Sequence, residues 1–172
     1  MKRVILAVLA LVAVPALASA QVTFGAAAGA AFPTGDLGKS FNSGYHAQVS
    51  LGLAVPLAPV GFRIDGTLDH FDTKSSTISG SDRILGVAAN VEMGFGAVPL
   101  LGPYVIAGAG LYNSNFSVGS TSTSETKPGA SVGAGIRFGL GGLGVYAETR
   151  YHYVSSSGSS TQFVPVMFGV SF

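Results

Sequence analysis

The chain has no cysteine in 172 residues. That excludes a disulfide framework and all thiol chemistry, so an exported form must be held by packing and hydrogen bonding alone. Charge is scarce as well: 10% of residues are Asp, Glu, Lys or Arg, against 48% apolar. A water-facing surface normally carries about 25–35% charged residues. Long apolar runs are also missing. Beyond residue 20 no stretch reaches the ~18–20 consecutive apolar residues of a membrane helix. High apolar content without a helical span argues against both a soluble domain and a helical membrane protein. It fits a membrane β-barrel, whose apolar residues are spread one in two along many strands.

The opening MKRVILAVLALVAVPALASAQ has a basic start at Lys2 and Arg3, an apolar run from Val4 to Val14, and the small-x-small sequence Ala18-Ser19-Ala20. This predicts a secretory signal peptide over residues 1–20, followed by one barrel domain over 21–172. Removing the leader leaves seven basic against eight acidic residues, a net charge of −1. The positive balance therefore belongs to the leader, and no basic surface remains to bind nucleic acid.

Eight segments read as strands: 22–32, 45–55, 61–71, 83–95, 104–112, 130–138, 145–154 and 163–172. Tilted strands of ~9–11 residues cross a bilayer. The connections alternate. PTGDLGKSFNSG, DTKSSTISGSD, NSNFSVGSTSTSETKPG and SSSGSSTQ are long and polar, whereas PLAPV, GAVPLLGP and GLGGLG are short. Short periplasmic turns and long outer loops are the pattern of an outer-membrane barrel. The fold expected is all-β, an eight-stranded antiparallel up-and-down transmembrane barrel with both ends on the periplasmic side.

Alternation assigns the faces. In the third segment Phe62, Ile64, Gly66, Leu68 and His70 oppose Arg63, Asp65, Thr67 and Asp69. In the seventh, Val145, Ala147, Thr149, Tyr151 and Tyr153 oppose Tyr146, Glu148, Arg150 and His152. The second, fourth and sixth divide likewise. An arginine on the lipid face at the midplane costs about 2–4 kcal/mol, so the charged face must be the lumen. There Arg63, Arg137 and Arg150 can pair with Asp65, Glu92 and Glu148. An eight-stranded interior is just wide enough for side chains to fill, so an ionic plug is expected rather than an open pore. Inward glycines and alanines either make room for the long side chains opposite or leave a narrow wet path. Aromatic residues gather toward the strand ends: Phe32, Tyr45, Phe71, Tyr112, Tyr151 and Tyr153 outside, and Phe62, Phe95, Tyr104, Phe138 and Phe172 at the periplasmic side. Two interfacial girdles are expected, with Tyr104 and Tyr146 as candidates to point inward instead.

Three features resemble the small bacterial outer-membrane β-barrel proteins of the OmpA/OmpX/OmpW type. They are the first hairpin GAAFPTGDLGKSFNSGYHAQVSLG, the mixed inner face of the third strand, and the terminal FVPVMFGVSF. In that family a last strand ending in Phe, with alternating apolar residues before it, is read by the barrel assembly machinery. The resemblance implies this role for Val166, Phe168, Val170 and Phe172. It also implies residence in the bacterial outer membrane, contact with its lipid and lipopolysaccharide, and a monomer. No peptidoglycan-binding domain is expected after the barrel, so a cell-wall anchor is not the expected role.

Signals for chemistry are weak. GLGGLG at 139–144 fits G-x-G-x-x-G, but a strand follows where a dinucleotide site needs a helix. The histidines are His46, His70 and His152; Glu148 and His152 lie four residues apart on one strand, ~13 Å, too far to bond directly. Asp36, Asp69, Asp72 and Asp82 near the outer loops read as solvated carboxylates rather than a cation site, and Asn115-Phe116-Ser117 as a chance sequon. The Ser/Thr/Gly-rich loops read as flexible and name no ligand. No catalytic, cofactor or metal residue is expected. The function expected is a non-enzymatic structural or surface-interacting barrel with a plugged lumen. The alternatives are a narrow channel for small solutes, a lipid-modifying barrel enzyme, and a secreted soluble barrel with an apolar cavity.

Overall fold

The computed structural model describes residues 21–55, 58–74, 80–95, 101–118, 121–140, 143–155 and 160–172. The leader reading of residues 1–20 lies outside them. Eight antiparallel strands close into one barrel: β1 Gln21–Thr34, β2 Gly44–Ala54, β3 Val60–Asp72, β4 Gly80–Gly94, β5 Leu101–Val118, β6 Thr121–Leu140, β7 Leu143–Ser155 and β8 Ser160–Ser171. A short helix, α1, spans Gly35–Ser40. Each strand pairs with its chain neighbours, and β8 closes on β1 with Val170 opposite Ala26 and Val166 opposite Ala30. Among the described residues no helix is long and apolar enough to cross a membrane; strands make the crossing.

The alternation sets the two faces. On β4, Leu85, Val87 and Val91 are exposed on the outside while Ile84, Ala88 and Asn90 are buried inside. On β7, Tyr146, Glu148, Arg150, His152 and Val154 are buried and Val145, Tyr151 and Tyr153 are exposed. Apolar outside and charged inside is the arrangement that lipid demands and that a soluble barrel reverses. The secreted soluble barrel is thereby set aside.

Three expectations need correction. Residues 113–118 and 121–129, expected as flexible loop, are instead paired strand: β5 and β6 run to 18 and 20 residues and stay paired out to Val118 and Thr121. Their Ser and Thr residues alternate, and Asn113 Nδ2 donates to Ser124 Oγ at 3.0 Å and to Thr126 Oγ1 at 2.9 Å. Such cross-strand bonds turn a polar tract into strand. The first outer loop is also ordered. Gly35 adopts φ +57° and starts α1, Lys39 Nζ donates to Asp36 Oδ1 at 2.8 Å, and Phe41 N donates to Leu37 O at 3.0 Å. Finally, Phe71 and Tyr112 are not girdle residues. Both are buried inside the barrel, together with Tyr104 and Tyr146. Phe32, Tyr45, Tyr151 and Tyr153 at one rim, and Phe62, Phe95, Phe138 and Phe172 at the other, do face outward.

Candidate functional site in the barrel lumen

Residues two apart on a strand share a face, so Arg63 and Asp65 on β3 point into the lumen together, as do Glu148 and Arg150 on β7. The barrel sets these pairs opposite each other. Arg63 Nη2 donates to Glu148 Oε1 at 2.8 Å and Oε2 at 2.9 Å, and its Nε lies 3.0 Å from Asp65 Oδ1. Arg150 makes the complementary pair of bonds, Nη2 to Asp65 Oδ2 at 2.6 Å and Nε to Glu148 Oε1 at 2.5 Å. The four charged groups form a closed ring. Tyr104 OH donates to Glu148 Oε2 at 2.6 Å, and Asn90 Nδ2 to Asp65 Oδ2 at 2.9 Å. All six side chains are buried. The cluster pairs two cations with two carboxylates, and their mutual attraction and hydrogen bonds offset a desolvation penalty of several kcal/mol per charge.

Space for this cluster comes from glycines on the neighbouring strand β6, with Gly135 paired to Tyr104 and Gly133 to Arg150. A Cβ on Gly135 would sit 2.5 Å from the Tyr104 ring carbon Cζ, and one on Gly133 would sit 2.6 Å from Arg150 Cγ.

Toward the rim of the short turns lies a second pair. Arg137 Nη2 donates to Glu92 Oε1 at 2.8 Å, and its guanidinium carbon stands 4.8 Å over the Tyr104 ring. Glu92 also approaches Arg63 Nη1 at 3.8 Å, so the expected six-residue set is brought together in one chain of contacts. Here the lumen opens into a cavity of about 310 Å³ whose walls include Arg137, Glu92, Tyr104, Tyr146 and Ser50. Arg63 of the ring is part of its wall.

Above the ring, toward the long loops, come the two inner histidines. His46 Nδ1 is 2.7 Å from Asp69 Oδ1. His152 Nδ1 is 3.2 Å from Tyr112 OH, and its ring stacks on Phe163 at 4.7 Å. Asp69 and Asp82 face inward as well. Asp82 accepts from Ser114 Oγ at 2.6 Å, so neither is the solvated loop carboxylate expected. Of the four acids, Asp36 and Asp72 stay at the exposed surface.

Last is an apolar lid that sequence reasoning missed. Leu37 from α1, Phe41, Phe71, Phe163, Ile84 and Val154 form one buried cluster across the outer mouth. Phe71 meets Phe163 edge to face at 5.7 Å. A signal was available. Phe71 is in step with Arg63, Asp65, Thr67 and Asp69, and Phe163 is in step with Met167, so parity alone turns both inward. Asn90 and Tyr104 were legible by the same rule, but not their bonding.

The terminal residues Val166, Phe168, Val170 and Phe172 lie on the outer face, with Phe168 and Phe172 68% and 64% exposed. Phe172 exchanges backbone bonds with Phe24 at 2.7 and 2.8 Å, and their rings stack at 6.5 Å. The 139–144 stretch joins β6 to β7 with Gly139 paired to Gly144, and a strand follows it. Among the described residues no group of three His, Asp or Glu side chains is arranged to hold a metal ion.

Over residues 4–172 the chain matches the family described as outer membrane protein beta-barrel domain. No curated protein matches it. Among solved structures it is similar to Neisserial surface protein A, at 18% identity and TM-score 0.73, over 89% of this chain and 97% of that one. The attachment invasion locus protein Ail of Yersinia pestis, solved with the heparin analogue sucrose octasulfate, matches at 18% identity and TM-score 0.53, over 89% and 97%. The outer membrane enzyme PagL matches at 18% identity and TM-score 0.51, over 87% and 98%. At these identities the likeness shows the fold alone.

Proposed function

The chain belongs to the outer membrane protein beta-barrel domain family and resides in the bacterial outer membrane, and on that premise we propose that it is a non-enzymatic barrel with a side-chain-plugged lumen that serves a structural or surface-interacting role. The observation that carries this reading is the closed ring of Arg63, Glu148, Arg150 and Asp65, each side chain no more than 4% exposed. A solute would have to separate paired charges in a medium where each unpaired charge costs several kcal/mol. The barrel leaves no strand edge free, which supports a monomer. The outward Val166, Phe168, Val170 and Phe172 suit a signal read by the assembly machinery during insertion.

The channel reading draws on the cavity of about 310 Å³ beneath the ring. Liposome swelling with glycine or urea separates the two. Swelling no faster than for protein-free vesicles is expected, and faster swelling would establish the channel. The enzyme reading would need an activated nucleophile. His46 and His152 are only 1% exposed, and His70, which lies 3.3 Å from Asp72 at the outer rim, receives no serine hydroxyl bond among the described residues. Incubation of wild type and of His70→Ala with lipid A should leave the lipid's mass unchanged in both.

A further inference from the structure

We propose that the outer face of β2–β5 is a binding site for a phosphorylated, acylated glycolipid of the outer leaflet, with Arg83 as the phosphate ligand. Register places Tyr45, His70, Arg83 and Asn115 in one cross-strand row, each directly opposite the next. Directly opposed residues share a face, and Arg83 is flanked by inward Asp82 and Ile84, so the row points outward. The residues wall a hollow of about 320 Å³ that also takes in Ser81 and Leu68. Among the described residues Arg83 is the only Arg or Lys whose charged group meets no hydrogen-bond acceptor or carboxylate. A planar guanidinium with five free donors fits a phosphate in two-point contact.

Depth along β4 places Arg83 at the headgroups. The outward apolar residues run from Leu85 to Met93, eight steps, or about 26 Å at ~3.3 Å per residue. At a strand tilt of ~40° that is about 20 Å along the membrane normal, so the next outward position lies at the edge of the apolar band of about 25 Å that a barrel presents to lipid. Arg83 is the next outward residue, on the side of the long loops, and Phe95 is exposed beyond the opposite end.

Directly below the row is an apolar groove of about 670 Å³ walled by Ala47, Val49, Leu68, Leu85, Val87 and Leu111. Its floor dips at Gly66, where an outward side chain would otherwise stand; an added Cβ there meets only Val49 Cγ2, at 3.4 Å. The groove and the polar hollow share Leu68. An acyl chain in the groove would carry its headgroup to Arg83. The hydroxyl of Ser81 and the amide of Asn115 beside it offer the hydrogen bonds that sugar hydroxyls take. Tyr45 stacks on His70 at 5.0 Å and closes one side. The Asp72 carboxylate is 3.3 Å from His70 Nε2 and stands one row further out, and Asp82 turns inward to accept from Ser114. Lipid bound at this outer face would be held whether or not the lumen conducts.

The test is native mass spectrometry of the full protein, purified from outer membranes, stripped with detergent and offered bis-phosphorylated lipid A, dephosphorylated lipid A or phosphatidylglycerol. Bis-phosphorylated lipid A should be retained at least about tenfold more than either competitor, as expected for a charge-assisted contact. Arg83→Gln should lower its retention about tenfold. Gly66→Leu, which fills the groove without touching Arg83, should lower it several-fold, and Ser131→Ala should not change it. Both site variants should keep the unheated gel mobility of wild type, since Arg83 has no bonded partner among the described residues and a Cβ at Gly66 is in ordinary contact with Val49. Unchanged retention in Arg83→Gln, equal retention of phosphatidylglycerol, or loss of an acyl chain from the bound lipid would each overturn the proposal.

Discussion

The middle of the lumen and its outer mouth are both filled with side chains, but by opposite means. The middle holds Arg63, Asp65, Glu148 and Arg150 in a ring of ion pairs between 2.5 and 3.0 Å. Every member comes from a strand and projects from a rigid wall. The mouth holds Leu37, Phe41, Phe71 and Phe163, which touch without any directional bond, and two of them come from the first outer loop. The ring specifies geometry, because each charge has an assigned partner and a misplaced one is costly. The lid specifies only volume, and apolar volume can be refilled by a neighbour. The two closures should therefore fail differently.

The largest effect is expected at Glu148, which accepts from Arg63, Arg150 and Tyr104. Glu148→Ala leaves two buried guanidinium groups to share the one carboxylate of Asp65, an excess of buried positive charge, and should destabilise the barrel by about 3–5 kcal/mol. Urea titration followed by the mobility of unheated samples on gels measures it. Pairing it with Arg63→Ala sharpens the comparison, since the double variant should lose clearly less than the sum of the singles. Additive losses would mean the ring is not one unit.

Next is the lid. Leu37→Ala should cost about 2 kcal/mol, read by the same titration, and should speed hydrogen exchange in α1 while leaving the β3 and β7 amides protected. Protection lost in β3 as well would couple the lid to the ring and erase the distinction. A smaller effect belongs to the long hairpin. Asn113→Ala removes bonds to Ser124 and Thr126 and should cost about 1 kcal/mol at most. Exchange should rise only in 113–118 and 121–126.

The smallest effect is electrostatic and lies outside the membrane. The Lys39 ammonium beside Asp36 holds that carboxyl below its ordinary range. A depressed carboxylate favours the folded state above its unfolded pKa, and that contribution fades as pH falls through the folded value. Both groups are fully exposed, so the barrel's stability should hardly register it. An NMR titration should place the Asp36 midpoint below the usual ~3.9, and Lys39→Met should raise it. An unmoved midpoint would break the pairing.

The same contrast marks what could be read from sequence. The barrel, its strand number and its two faces were legible because alternation repeats on every strand, and one misplaced arginine on lipid is prohibitive. The identities of the inward charges followed from that parity. Their pairing across β3 and β7 was expected only as a possibility of charge balance; closure brings residues 85 positions apart within bonding distance. Phe71 and Tyr112 were misplaced because aromatic girdle statistics were set above the parity of their own strands. The hairpin beyond Asn113 is hidden from the sequence because its Ser, Thr and Asn residues carry no apolar–polar alternation, and the cross-strand bonds that hold it, Asn113 to Ser124 and Thr126, are visible only in the fold. Helix α1 carries too few residues for periodicity to register.

The central claim is that the lumen is closed by paired side chains. Single-channel recording in planar bilayers tests it most directly, using protein purified from outer membranes, with the Arg63→Ala/Arg137→Ala/Arg150→Ala variant beside it. The expected result is a silent wild type and a variant that conducts in steady small steps. Steady steps from the wild type, or a folded variant as silent as the wild type, would contradict the account.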